Sequence, residues 1–163
     1  MAHLKLDFEE EFEEPYALVA IHCSEEEYKL AYLLNLHLGL RLARRKTDLD
    51  FKSEEGEIAF PIYDFEDVHH HDSYQLVANK CRSVQKSIVG AGDLFGEESV
   101  ENSNLHYLFP EFKKIDYFLK IFSDFESSSL QDIISKISQI NEVVSAYAVE
   151  FEEIKSKNNL IFD

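Results

Sequence analysis

Four groups of side chains in this 163-residue chain are of types that do chemistry. The first is Asp67-Val68-His69-His70-His71-Asp72. Imidazole nitrogens and carboxylate oxygens suit zinc, nickel or iron, so His69, His70, His71 and Asp72 are candidate metal ligands, and a metal-dependent enzyme is what they would imply. Neighbouring side chains of a strand point to alternate faces, however, and no helical His-x3-His spacing is present. A solvated loop is the plainer reading. The second group is Arg41, Arg44, Arg45 and Lys46, a dense basic patch that suits a phosphate. Such a patch more often pairs with a protein's own acids. The third is His22-Cys23-Ser24. His22 and Ser24 share a face if the segment is a strand, but a nucleophile–base pair also needs an orienting acid, and the sequence names none. The fourth, Gly90-Ala91-Gly92-Asp93-Leu94-Phe95-Gly96, lacks the Lys-Ser/Thr ending of a phosphate loop, and Asp93 would repel phosphate. A hinge or loop is its default reading. These groups assemble no reaction centre and call for no cofactor.

The elements that position them come from a chain of single-domain size, read as one domain over residues 1–163. With 45% hydrophobic residues and few Gly and Pro, it has enough apolar surface for a core. The net charge of −16 repels nucleic acid and anionic membranes and favours a cationic partner or plain solubility. No stretch reaches the roughly 18 apolar residues of a membrane span, and the start of the sequence carries no apolar secretory core. The expected location is the cytoplasm. There Cys23 and Cys81, without Cys-x-x-Cys spacing, are expected as free thiols.

Residues 4–8 alternate as a short strand, and five glutamates at 9–14 form a solvated segment ended by Pro15. Residues 16–23 are apolar on both sides, as in a central strand covered on two faces. Ser24 and Glu27 have capping-box spacing before a helix through Leu30, Ala31, Leu33, Leu34 and Leu38, with Gly39 as its stop. Strands are predicted at 40–46, 57–65 and 74–80, with Pro61 at an edge or bulge. A long polar loop follows from 86 to 104. Residues 115–122 alternate, placing Asp116 and Tyr117 on opposite faces. Ser128 or Ser129 caps a second helix carrying Leu130, Ile133, Ile134, Ile137 and Ile140 on one stripe, ended by Asn141. A strand at 143–151 and a short one near Leu160-Ile161-Phe162 close the order. The fold class is α+β: a mixed or antiparallel sheet of five to seven strands, two main helices on one face, and ferredoxin-like character.

Residues 109–117 read Phe109-Pro110-Glu111-Phe112-Lys113-Lys114-Ile115-Asp116-Tyr117. This resembles the motif of the IPExxxVDY family of Bacteroidetes: Pro110, Glu111, Asp116 and Tyr117 match, while Phe109 stands for Ile and Ile115 for Val. The segments Glu27-Tyr28-Lys29-Leu30-Ala31-Tyr32-Leu33-Leu34-Asn35, Thr47-Asp48-Leu49-Asp50-Phe51 and Leu76-Val77-Ala78-Asn79-Lys80-Cys81 are similar to the same family. It is a family of unknown function, so the resemblance brings no activity with it. On physical grounds Pro110 forces Phe109 into an extended conformation, and Glu111 enters a strand. Glu111 and Asp116 either bond backbone amides or a nearby base, with Tyr117 in the core, or they line a recognition groove.

Three functions follow as expectations. The first is a non-enzymatic protein-interaction or regulatory module, a homodimer paired through sheet edges. The second is a small-molecule sensor. The third is a metal-dependent enzyme using the loop from His69 to Asp72.

Overall fold

The computed structural model describes residues 16–53, 56–86, 101–125, 129–150 and 153–155. The expected strand at 4–8, the acidic run at 9–14, the segment Gly90–Gly96 and the tail at 160–162 lie outside the described residues. Strand β1 (Tyr16–Cys23) leads into helix α1 (Glu27–Leu38), then β2 (Ala43–Arg44), β3 (Leu49–Ser53), β4 (Gly56–Phe60), β5 (Ile62–Asp67), β6 (Asp72–Ala78) and β7 (Lys80–Lys86). After these come β8 (Glu101–Tyr107), a 3-10 turn (Pro110–Phe112), β9 (Tyr117–Phe122), α2 (Leu130–Ser138) and β10 (Val143–Ala148). The fold is α+β. Six strands make one antiparallel sheet in the order β10-β1-β9-β6-β5-β2, and β3-β4 and β7-β8 form two-stranded ribbons beside it.

β1 is covered on both faces, as its apolar run from Ala17 to Ile21 requires. Val19, Ile21 and Cys23 pack under α1 and α2 with Leu30, Leu34, Ile133 and Ile137. Leu18 and Ala20 face a second core with Phe60, Phe109 and Phe118, closed by the β3-β4 ribbon and the 3-10 turn. Both helices therefore lie on one face. Among the described residues, no helix is long and apolar enough to cross a membrane.

Helix ends show local chemistry at work and where it yields. Gly39 takes the left-handed conformation (φ 68°) that a C-terminal stop demands. Ser129 caps α2 by accepting the Asp132 amide at 3.2 Å. Replacing Ser129 with Ala is expected to destabilise the protein by about 1 kcal/mol, read as a lower urea midpoint at unchanged slope. The capping box at Ser24 does not form. α1 starts at Glu27 with Glu26 as N-cap, whose side chain makes no cap bond. Glu27 is then the first helical residue rather than the third, too early to reach back, although the helix dipole still favours it there. α2 ends at Ser138, capped by Gln139 rather than Asn141.

The predicted strand over 57–65 is two strands in different sheets. Pro61 has no amide to continue a ladder, so the chain leaves the β3-β4 ribbon there and enters the main sheet as β5. In the 40–46 segment Ala43 and Arg44 form the strand that pairs with β5, and the Arg45 amide donates to the Ile62 carbonyl at 2.9 Å. Residues 101–104, read as loop from their polarity, belong to β8, which pairs with β7 from Glu101 to Tyr107. Where β10 pairs with β1 the register slips between His22 and Cys23, leaving Val144 as an extra, bulged residue on the sheet edge.

Candidate functional site

The segments 76–81 and 109–117 meet around Asn79, at the corner where β6 leaves the main sheet for β7. Asn79 is fully buried. Its amide nitrogen donates to the carbonyls of Phe112 (2.9 Å) and Ile115 (2.8 Å), and its side-chain oxygen accepts the Phe109 amide (2.8 Å). Its backbone N–H donates to the Asp116 carbonyl, and its own carbonyl accepts from Leu108, both at 2.8 Å. Every polar atom of this residue thus holds the chain from 108 to 116. Phe109 is extended before Pro110 as expected, and its ring packs edge-on against Phe118 at 4.8 Å. The sequence reading did not single out Asn79; an Asn next to a predicted strand end is its one local signal.

This wrapping sets the places of the motif residues. Pro110 opens the 3-10 turn and is exposed. Glu111 sits in that turn, not at a strand entry, and its carboxylate accepts the Lys155 amide at 2.9 Å. Asp116 precedes β9, so the strand alternation that would separate it from Tyr117 does not apply. Both line one cavity of about 330 Å³, with Cys23, Ser24, Glu25, Glu27, Lys80 and Cys81. Ala59, Pro61 and Ala78 give the cavity an apolar wall. Glu111 is not among the residues that line it.

Asp116 is the hub of the cavity. One carboxylate oxygen meets the Lys80 ammonium at 2.9 Å; the other meets His22 Nδ1 at 2.6 Å and accepts the Cys23 amide at 2.9 Å. The Tyr117 hydroxyl donates to the Glu25 carbonyl just ahead of α1, and burial holds this phenol well above its ordinary pKa, so it stays a donor. Asp116 is also the orienting acid that the His22-Cys23-Ser24 segment lacked in sequence. A base and its orienter are only part of a nucleophilic centre. Burial pushes both the Cys23 and Cys81 thiols up, which disfavours the nucleophilic thiolate.

Several of the other candidates have structural partners within the chain. Arg44 pairs with Asp48 at 3.1 Å, and Arg45 with Asp64 at 2.9 Å, so part of the basic patch answers the protein's own acids. Arg41 and Lys46 are exposed beside them. His69, His70 and His71 lie in the tight turn between β5 and β6, where Asp67 accepts the amides of His69 (3.0 Å) and His70 (3.3 Å). Asp67 also meets His70 Nδ1 at 2.7 Å. That bond holds the Asp67 carboxyl below its ordinary range and lifts His70 above its own. Asp72 is buried in β6. Among the described residues, no three His, Cys, Asp or Glu side chains converge to hold a metal ion. A second cavity, about 310 Å³, is lined by Phe51, Ile58, Phe60, Leu108 and Pro110 among others. No protein-family model, curated protein or solved structure matches the chain.

Proposed function

We propose that this chain is a non-enzymatic regulatory module of the cytoplasm, related to the IPExxxVDY family, that holds a small molecule in the cavity at Asp116. One observation carries this reading: Lys80, Asp116 and Tyr117, from two separate family-like segments, meet on one cavity of about 330 Å³. Small-molecule sites run from roughly 300 to 1,000 Å³, so the occupant is small. Lys80, Asp116 and Ser24 would meet its polar end, and Ala59, Pro61 and Ala78 its apolar body. The strand order β10-β1-β9-β6, with α1 after β1 and α2 between β9 and β10, supports a ferredoxin-like kinship.

Thermal-shift measurement against a panel of metabolites tests the reading. A ligand at about 100 times its Kd should stabilise the protein by about 2.7 kcal/mol, and Lys80→Met should abolish that response. A panel without effect, or a response equal in Lys80→Met, would refute the site. A homodimer is the second reading, favoured by the large apolar side chains that α1 leaves outside the core.

A further inference from the structure

α1 is apolar on both sides. Leu30, Ala31, Leu33 and Leu34 face the core. On the outward side Tyr28, Tyr32 and Leu36 are 61%, 63% and 64% exposed. Their spacing of four places them on one ridge, the geometry by which helices pack against one another. α2 keeps the ordinary division, with Gln131, Asp132, Ser135 and Lys136 outward. A second apolar row opposite the core-facing one is surface that a covering partner would bury. Scattered exposed leucines need no explanation, but three large apolar side chains in a single row do.

Charge along the helix identifies the cover. Glu25, Glu26 and Glu27 stand at its N-terminal end, where Lys29 pairs with Glu25 at 3.0 Å and leaves Glu26 and Glu27 in excess; exposed His37 lies in its last turn and exposed Arg41 just beyond. Two such helices set antiparallel bring the acidic end of each against the basic end of the other. Tyr28 and Leu36 are each four residues from Tyr32, so the same arrangement seats Tyr28 on the copy's Leu36. The sheet edges suit pairing less well, because β2 has two residues and β10 carries the bulge at Val144.

We propose that α1 packs antiparallel against α1 of a second copy, about a two-fold axis at Tyr32. This rests on the homodimer reading and adds where the copies touch. Three side chains from each copy supply part of the roughly 800 Å² per partner of a standard interface, so the dimer is a weak one, with Kd on the order of micromolar.

Light scattering over a concentration series tests it on the full chain. Tyr32→Asp and Leu36→Asp should each weaken dimerisation at least tenfold while leaving the thermal midpoint nearly unchanged, since both positions are exposed. Tyr32→Cys should form a disulfide with its own symmetry mate under mild oxidation, and Tyr28→Cys should do so only when mixed with Leu36→Cys. A wild type that stays monomeric at about 100 µM overturns both the contact and the homodimer. A dimer that survives Tyr32→Asp, and whose Tyr32→Cys variant yields no cross-link, overturns the contact alone.

Discussion

Replacing Asn79 with Ala is expected to destabilise the protein by about 4 kcal/mol, a large part of the 5–15 kcal/mol that separates folded from unfolded domains. The side chain makes three bonds at 2.8–2.9 Å, two of them fully buried. Without it, the Phe109 amide and the Ile115 carbonyl lose a partner inside the protein, and each such orphan costs about 1–3 kcal/mol. The Phe112 carbonyl is less affected because it also accepts the Ile115 amide at 3.0 Å. Asn79→Asp keeps the bond from Phe109 but turns a second oxygen toward two carbonyls, so it should be at least as damaging. Urea unfolding measures both variants. A loss below about 1 kcal/mol for the Ala variant would mean that water replaces the amide and that Asn79 does not organise the motif.

The contrast between what the sequence disclosed and what it hid follows from range. β1 was legible to the residue, because an apolar run with β-branched side chains needs nothing beyond itself. Gly39, and a serine cap at 128 or 129, were legible for the same reason, since a left-handed stop and a cap act within one turn. Asn79 was hidden because its side-chain partners lie 30, 33 and 36 residues along the chain, and no periodicity records them. Asp116 was misplaced by a rule applied one step too far: alternation starts with β9 at Tyr117, and the residue before it follows the chain's turn. The His69–His71 run offers metal-ligand types in sequence, but whether such side chains converge depends on the turn that Asp67 fixes, which sequence does not record. The first half of β8 reads as loop because Asn102, Ser103 and Asn104 disfavour strands, and only pairing with β7 overrides that preference.

Asp116→Ala should lower stability by about 2 kcal/mol, and Asp116→Asn by about half as much. The difference separates two duties of one carboxylate. The Cys23 amide belongs to a residue that is 1% exposed, so losing its acceptor carries most of the penalty. Asn retains that acceptor. The Lys80 and His22 side chains are 31% and 40% exposed, so water takes over when their partner loses its charge, and each pair contributes at most about 1 kcal/mol. A double-mutant cycle between Asp116→Asn and Lys80→Met should accordingly return a coupling of less than about 1 kcal/mol. Ligand response should follow a different order. If the cavity binds through its Lys80–Asp116 pair, Asp116→Asn, though well folded, should lose the thermal shift as fully as Asp116→Ala does. An Asp116→Asn protein that responds like the wild type would make the carboxylate a brace for β1 and nothing more. The cavity would then be a by-product of how Asn79 folds the motif, and the surface of α1 would be left as the part of this molecule that meets something else.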